Sequence, residues 1–247
     1  MSHGTRIHPA SVIDPAARLG VDVTVGPGAV IGPNVTVGDR TIVGAHVLLT
    51  GWTTIGHDCH LHHGAVLGSE PQDLKYDGSE PSYLVVGDHT VVREYVTGNL
   101  ATEPGFTTRI GSHCLLMAYA HVAHNCCIGD RVILANAVQL AGYVVVDDWA
   151  IVGGGTVVHQ FTRIGRHAMV GGGSRIAQDI APYVKSAGSP PRNAGINSIG
   201  LQRRGFSSEA VHGIEKAYRV FFRDGLTTSA AVEAIRQRMP GLPEVEH

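Results

Sequence analysis

A chain of 247 residues can bury a substantial core, as one long domain or as one domain with an appendage. Its net charge of −2, with basic and acidic residues mixed along the chain, argues against a nucleic-acid surface. No apolar run is long enough for stable membrane insertion and no apolar segment follows the opening Met1–Arg6, so a cytoplasmic protein without a signal peptide is expected.

A repeat begins almost at once. Aliphatic residues open successive hexads at Ile7, Ile13, Leu19, Val25, Ile31, Val37, Val43, Leu49, Ile55, Leu61 and Leu67, and four positions after the opener stands a small or β-branched residue. A period of six suits neither a helix, which needs apolar residues every three to four positions, nor a strand of simple alternation. It suits a parallel β-helix, in which each hexad is one short strand and a corner. The register breaks at residues 69–84, resumes with hexads opening at Val86 and Val92, and breaks again at residues 98–109. Both stretches are read as loops leaving the coil, where binding residues are commonly placed. Twelve unbroken hexads then run from Ile110 to Ala181.

Cys59, Cys114 and Cys126 share the small fifth slot and are read as core residues, not as disulfides or reactive thiols. His46, His89, His113 and His167 share the fourth slot and are expected at solvent-facing corners. Within the long array stands Ala120-His121-Val122-Ala123-His124. With three hexads per coil, residues eighteen apart lie on neighbouring rungs about 4.8 Å apart. His124, Gly142 and Gln160 are so spaced. A base beside a backbone N–H with no side chain in the way is the minimum equipment for acyl transfer.

Residues 1–185 are therefore assigned to the β-helix and residues 186–247 to a C-terminal α-helical domain. Ser189–Gly195 reads as a connector. Val211, Ile214, Tyr218, Phe221 and Phe222 make one helical stripe capped by Ser207 or Ser208, and Gly225 closes it. A second helix starts at Thr227 or Thr228.

Gln72-Asp73-Leu74-Lys75-Tyr76, the His121–His124 segment, Leu140-Ala141-Gly142, His159-Gln160-Phe161 and Gly200-Leu201-Gln202-Arg203-Arg204-Gly205-Phe206-Ser207 resemble the UDP-N-acetylglucosamine O-acyltransferases of lipid A synthesis. The resemblance covers nearly the whole chain in the same order. It implies a left-handed parallel β-helix, a homotrimer with sites between subunits, and no metal or bound cofactor. The implied co-substrates are the phosphopantetheine thioester of acyl carrier protein and UDP-N-acetylglucosamine or a related UDP-amino sugar. Carried over by position, His124 is the base toward the sugar 3-hydroxyl and the Gly142 N–H holds the thioester oxyanion. Asp73 and Lys75 contact the sugar nucleotide, while His121, His159 and Gln160 line the same cleft. Asn197, Arg203 and Arg204 meet the uridine diphosphate, whose charge suits a guanidinium fork. Gly172 leaves room for a long acyl tail.

Three positions and one stretch depart from the family's pattern. Asn125 stands where Asp is usual after the base, Tyr143 where His is usual, and Ile199 where an acidic residue is usual. Gly98–Thr102 replaces a stretch with an adjacent His and Arg. An amide beside the base orients the imidazole but adds no charge. Three other readings stay open: a divergent hexapeptide acyltransferase with another donor or nucleotide sugar, a catalytically inactive relative, and a zinc enzyme like the carbonic anhydrases of this fold. The last rests on the segment His57-Asp58-Cys59-His60-Leu61-His62-His63, in which Cys59 is read as inward and no carboxylate pattern fixes the imidazoles.

Overall fold

The computed structural model describes residues 4–239 and 241–246. Met1, Ser2 and His3, part of the opening stretch read for a signal peptide, lie outside the described residues. From Arg6 to Ile176 the chain winds through short strands, most of two residues, in three parallel faces. The first face begins with Arg6–Ile7 and Thr24–Val25, the second with Val12–Ile13 and Val30–Ile31, the third with Arg18–Leu19 and Thr36–Val37. Away from two insertions each strand pairs with residues eighteen positions on, as a six-residue side and three sides per turn require.

The period works because one slot faces inward on every rung. The openers Leu61, Leu67, Leu116, Leu134 and Leu140 are fully buried, and Cys59, Cys114 and Cys126 fill the small slots between rungs. Burial pushes the Cys114 thiol up to about 11 and that of Cys126 to about 12, so neither offers a thiolate near neutral pH. The corners carry a cost: Asn125, Tyr143, Phe161 and His167 all sit in the left-handed region with φ between 55° and 64°. Asn tolerates that conformation; bulky aromatic residues adopt it only when stacking and the ladder hold them there.

Two insertions interrupt the coil without shifting it. Tyr83 pairs with Trp52, thirty-one positions back, and Thr107 with Tyr83, twenty-four back, so the loops add thirteen and six residues to a rung of eighteen. The first loop spans residues 70–82 and the second 100–106. Both leave the second face and rejoin at the third, so both emerge at one corner of the prism.

At the end of the coil Val184–Ala187 adds a parallel strand to the first face, and Arg192–Ile196 folds back on it as an antiparallel hairpin. The stretch read as a connector is thus largely sheet. A short helix α1 (Ser198–Arg203) follows, capped by the Asn197 side chain, which accepts from the Gly200 N–H at 3.3 Å. The hexad and stripe patterns give no sign of either element. Helices α2 (Ser208–Arg223) and α3 (Thr228–Arg238) are capped by Ser207 and Thr227, in each case the first of the two candidate residues. Tyr183, Ile196, Leu201 and Ile214 form a small second core beneath them.

This docking overturns the solvent-facing reading of His167. The ring is 8% exposed, stacked between Trp149 and Tyr183 and met edge-on by Phe206. Burial pushes its pKa down to about 4, helped by the Arg204 and Arg166 charges and opposed by Asp148. The folded value lies below the unfolded 6.5, so the neutral ring's stabilisation is complete above about pH 6.5 and is lost as pH falls through about 4. The tail is therefore expected to loosen across that window. Trp149 fluorescence in a Trp52→Phe background reads it, and a flat signal from pH 7 to 4 refutes it.

Candidate active site

His124 sits at the corner between the second and third faces, one rung beyond the second loop and two beyond the first. It is 9% exposed. The ladder continues through the corner: the Tyr143 N–H donates to the His124 carbonyl at 3.0 Å, and the Phe161 N–H to the Gly142 carbonyl at 3.2 Å. His124, Gly142 and Gln160 thus occupy equivalent positions on three successive rungs. The imidazole lies across Gly142. A Cβ at that position would fall 2.4 Å from His124 Cε1 and 2.6 Å from Nε2, so only glycine fits under the ring. Among the described residues the Gly142 N–H has no hydrogen-bond partner.

The hydrogen bonds around Asn125 fix the tautomer of the neutral imidazole. Asn125 Oδ1 accepts from the Thr102 N–H at 3.0 Å, and Asn125 Nδ2 donates to Glu103 Oε2 at 2.6 Å. A backbone N–H can only donate and a carboxylate can only accept, so the amide orientation is determined. Its oxygen also faces His124 Nδ1 at 3.0 Å, which requires a proton on Nδ1. In the neutral ring the lone pair is then on Nε2, as a general base needs. It points toward Asp73 Oδ2, 4.0 Å away on the first loop.

Glu103, Thr102 and Tyr143 complete this corner, and sequence reading did not single out Glu103 or Thr102. The Tyr143 hydroxyl donates to Glu103 Oε1, and the Thr102 hydroxyl lies 2.9 Å from Glu103 Oε2. These donors, Tyr143 foremost, hold the Glu103 carboxyl below its usual range and so ionised, while the Tyr143 hydroxyl is pushed up. Glu103 escapes the hexad pattern because it stands in a loop that has no slot in the register.

The other expected residues divide among the corners. Asp73 and Lys75 share a tight turn on the first loop, in which the Lys75 N–H donates to Asp73 Oδ1 at 2.9 Å. His121 stands on the second face with Nδ1 2.7 Å from Thr97 Oγ1, its pKa lowered by burial and then by His124. His159 and Gln160 are exposed beside Phe161, which stacks on Tyr143 at 4.9 Å. Gly172 is exposed at the corner between the first and second faces. Arg204 is at the third corner, its guanidinium over Trp149 at 5.1 Å and Nη1 donating to His167 Nδ1 at 3.1 Å. Asn197 is 4% exposed there, donating to the His167 carbonyl at 3.1 Å, and Arg203 is exposed. One chain therefore unites His124, Gly142, Gln160, Asp73 and Glu103. Gly172, Asn197 and Arg204 stand on its other corners.

Metal-ligating geometry among the described residues is confined to His57, Asp58 and His89, whose donor atoms lie within 4.8 Å of one another. The groups already have partners. Arg40 holds Asp58 through two contacts at 2.6 and 2.8 Å and, with His57, keeps that carboxyl well below its usual range. His57 is flanked by Asp58 and Asp88. This set keeps only His57 and Asp58 of the expected cluster: His60 and His62 stack on each other, and His63 bonds to Tyr95.

Residues 179–247 match the family described as UDP N-acetylglucosamine O-acyltransferase, domain 2, and residues 16–51 and 107–142 match the bacterial transferase hexapeptide family (six repeats). The acyl-[acyl-carrier-protein]–UDP-N-acetylglucosamine O-acyltransferase of Stutzerimonas stutzeri is 48% identical over 240 residues, 97% of this chain and 93% of its own length. The enzyme of the same name from Verminephrobacter eiseniae is 50% identical over 242 residues, 97% and 92% of the two chains. The crystal structure of the UDP-N-acetylglucosamine acyltransferase LpxA from Bacteroides fragilis superposes with a TM-score of 0.93 at 38% identity, covering 97% of this chain and 93% of the other. The Arabidopsis UDP-N-acetylglucosamine acyltransferase gives 0.85 at 34% identity, covering 97% and 93%.

Proposed function

The chain belongs to the UDP-N-acetylglucosamine O-acyltransferase family, built on the left-handed β-helix of hexapeptide-repeat proteins, and from that premise we propose how its own residues carry the reaction. It is an acyltransferase that moves a fatty acyl group, in our reading a 3-hydroxyacyl group, from acyl carrier protein to UDP-N-acetylglucosamine. The observation that carries the mechanism is the corner at His124, a base with Nε2 free, seated across a glycine whose N–H is unpaired. His124 Nε2 takes the proton of the acceptor 3-hydroxyl as its oxygen attacks the thioester carbonyl. The Gly142 N–H donates to the oxygen that becomes anionic. Collapse breaks the carbon–sulfur bond, and the proton on Nε2 passes to the departing thiolate.

Asp73 and Lys75 hold the sugar nucleotide from the first loop, with His121, His159 and Gln160 lining the same cleft. Gly172, Asn197, Arg203 and Arg204 lie away from His124 in one chain, so they serve this cleft from a neighbouring copy. In our reading the working site lies between subunits of a homotrimer, with Arg203 and Arg204 toward the diphosphate and Gly172 along the acyl tail. In this reading residues 1–185 carry the chemistry and the sugar contacts from the first loop, and residues 186–247 add the diphosphate contacts. No described helix is long and apolar enough to cross a membrane, and we assign the enzyme to the cytoplasm on its cysteine usage. No resident cofactor or metal enters the scheme.

The test is an assay of the purified protein with acyl carrier proteins bearing chains of different length, using UDP-N-acetylglucosamine and its 3-amino analogue as acceptors. Long-chain product on a UDP-amino sugar is expected. Product from acetyl-CoA alone would refute the fatty acyl assignment. A stoichiometric metal whose removal abolishes turnover would refute the metal-free scheme.

A further inference from the structure

We propose that Glu103 is a positioning residue for the base, supplying through the Asn125 amide the negative charge that balances the His124 imidazolium. This rests on His124 being the base of the reaction above. The chain of contacts is continuous: the Nδ1–H of His124 donates to Asn125 Oδ1 at 3.0 Å, and the Asn125 Nδ2–H donates to Glu103 Oε2 at 2.6 Å. The amide cannot carry a proton along this path at neutral pH, because its oxygen is too weak a base and its nitrogen has no lone pair to offer. It can carry charge. A carboxylate accepting from one end of an amide raises the electron density on its oxygen, strengthening what that oxygen accepts at the other end. When Nε2 takes up the substrate proton, the positive ring faces an oxygen already polarised by Glu103.

Three observations favour this over a loop tether. Glu103 is held ionised by the Tyr143 hydroxyl, the Thr102 hydroxyl and the Asn125 amide, more donors than a tether needs. The amide orientation is fixed by the Thr102 N–H, so Asn125 cannot flip and present its NH₂ group to the ring. Among the described residues the remaining charged or titratable groups facing His124 are Asp73 at 4.0 Å from Nε2, His121, and Tyr143, whose ring stands edge-on at 5.4 Å. Of these only Asp73 is acidic, and it stands on the substrate side, where the acceptor intervenes. The side of the ring away from substrate is served by Glu103.

The test is a double-mutant cycle with Glu103→Gln, which preserves the shape and an acceptor for Asn125, and Asn125→Asp. Glu103→Gln should lower kcat about tenfold and move the ascending limb of the pH profile down by about one unit, the effect of removing a unit charge from a part-buried site. Asn125→Asp alone sets a second carboxylate against Glu103 across the 2.6 Å contact and should also lose about tenfold. In the double variant the carboxylate introduced at position 125 carries the charge and the amide introduced at position 103 donates to it, so activity and pH profile should return to within about threefold of the parent. Additive losses with an unmoved pH profile would overturn the proposal and leave Glu103 a tether. The His124 imidazole titration followed by NMR in the same four proteins reads the charge without turnover. Absence of acyl transfer by the parent would thus defeat the proposed function, whereas an NMR midpoint indifferent to Glu103→Gln would defeat this inference.

Discussion

Replacing His124 with alanine is expected to lower kcat by about 10²–10⁴-fold, the usual contribution of a positioned base. The expectation rests on the state of the ring. Nδ1 is committed to Asn125 and Nε2 carries the lone pair, so the ring is oriented before substrate arrives. Fold should survive, because the coil is held by its inward aliphatic stack, to which the His124 side chain does not belong. Sedimentation of the variant at the mass of the parent assembly separates loss of chemistry from loss of structure. A drop of less than tenfold would place the base elsewhere.

Gly142→Ala should be nearly as damaging, with kcat down about 10²–10³-fold, although it adds one methyl group to a backbone that tolerates it. The φ of Gly142 lies outside the left-handed region, unlike that of its neighbour Tyr143, so alanine meets no backbone penalty there. The conflict is with the base: the added Cβ would stand 2.4 Å from His124 Cε1. The imidazole has to swing away, losing its bond to Asn125 and its alignment with the acceptor, and the methyl group crowds the N–H meant for the oxyanion. Two functions fail together, so the His124→Ala, Gly142→Ala double variant should be little worse than His124→Ala alone, as expected for residues acting as one unit. Full additivity of the two losses in kcat would show that Gly142 acts independently of the ring.

Period six was legible from the sequence by itself because it is local and repeated. An aliphatic opener and a small residue four positions later determine which side chains face inward, so spacing alone assigns Leu116, Leu134 and Cys126 to the core, where they are buried. The same period determines vertical neighbours, and this is why His124, Gly142 and Gln160 could be stacked from their spacing of eighteen. Local capping chemistry likewise narrowed the caps of α2 and α3 to Ser207 or Ser208 and Thr227 or Thr228, of which the first of each pair is the cap. Tertiary structure decided everything that left the register. Glu103 stands in a loop with no slot, so only the path of that loop brings it to Asn125 and Tyr143. His167 occupies a slot that is open to solvent at His89 and His113, and it is buried because the tail closes over that corner alone. Asn197 and Arg204 reach the same corner through a hairpin and a short helix that carry no hexad or stripe. A repeat specifies the contacts between neighbouring rungs, and it is silent about which loop or tail comes to rest on a given corner.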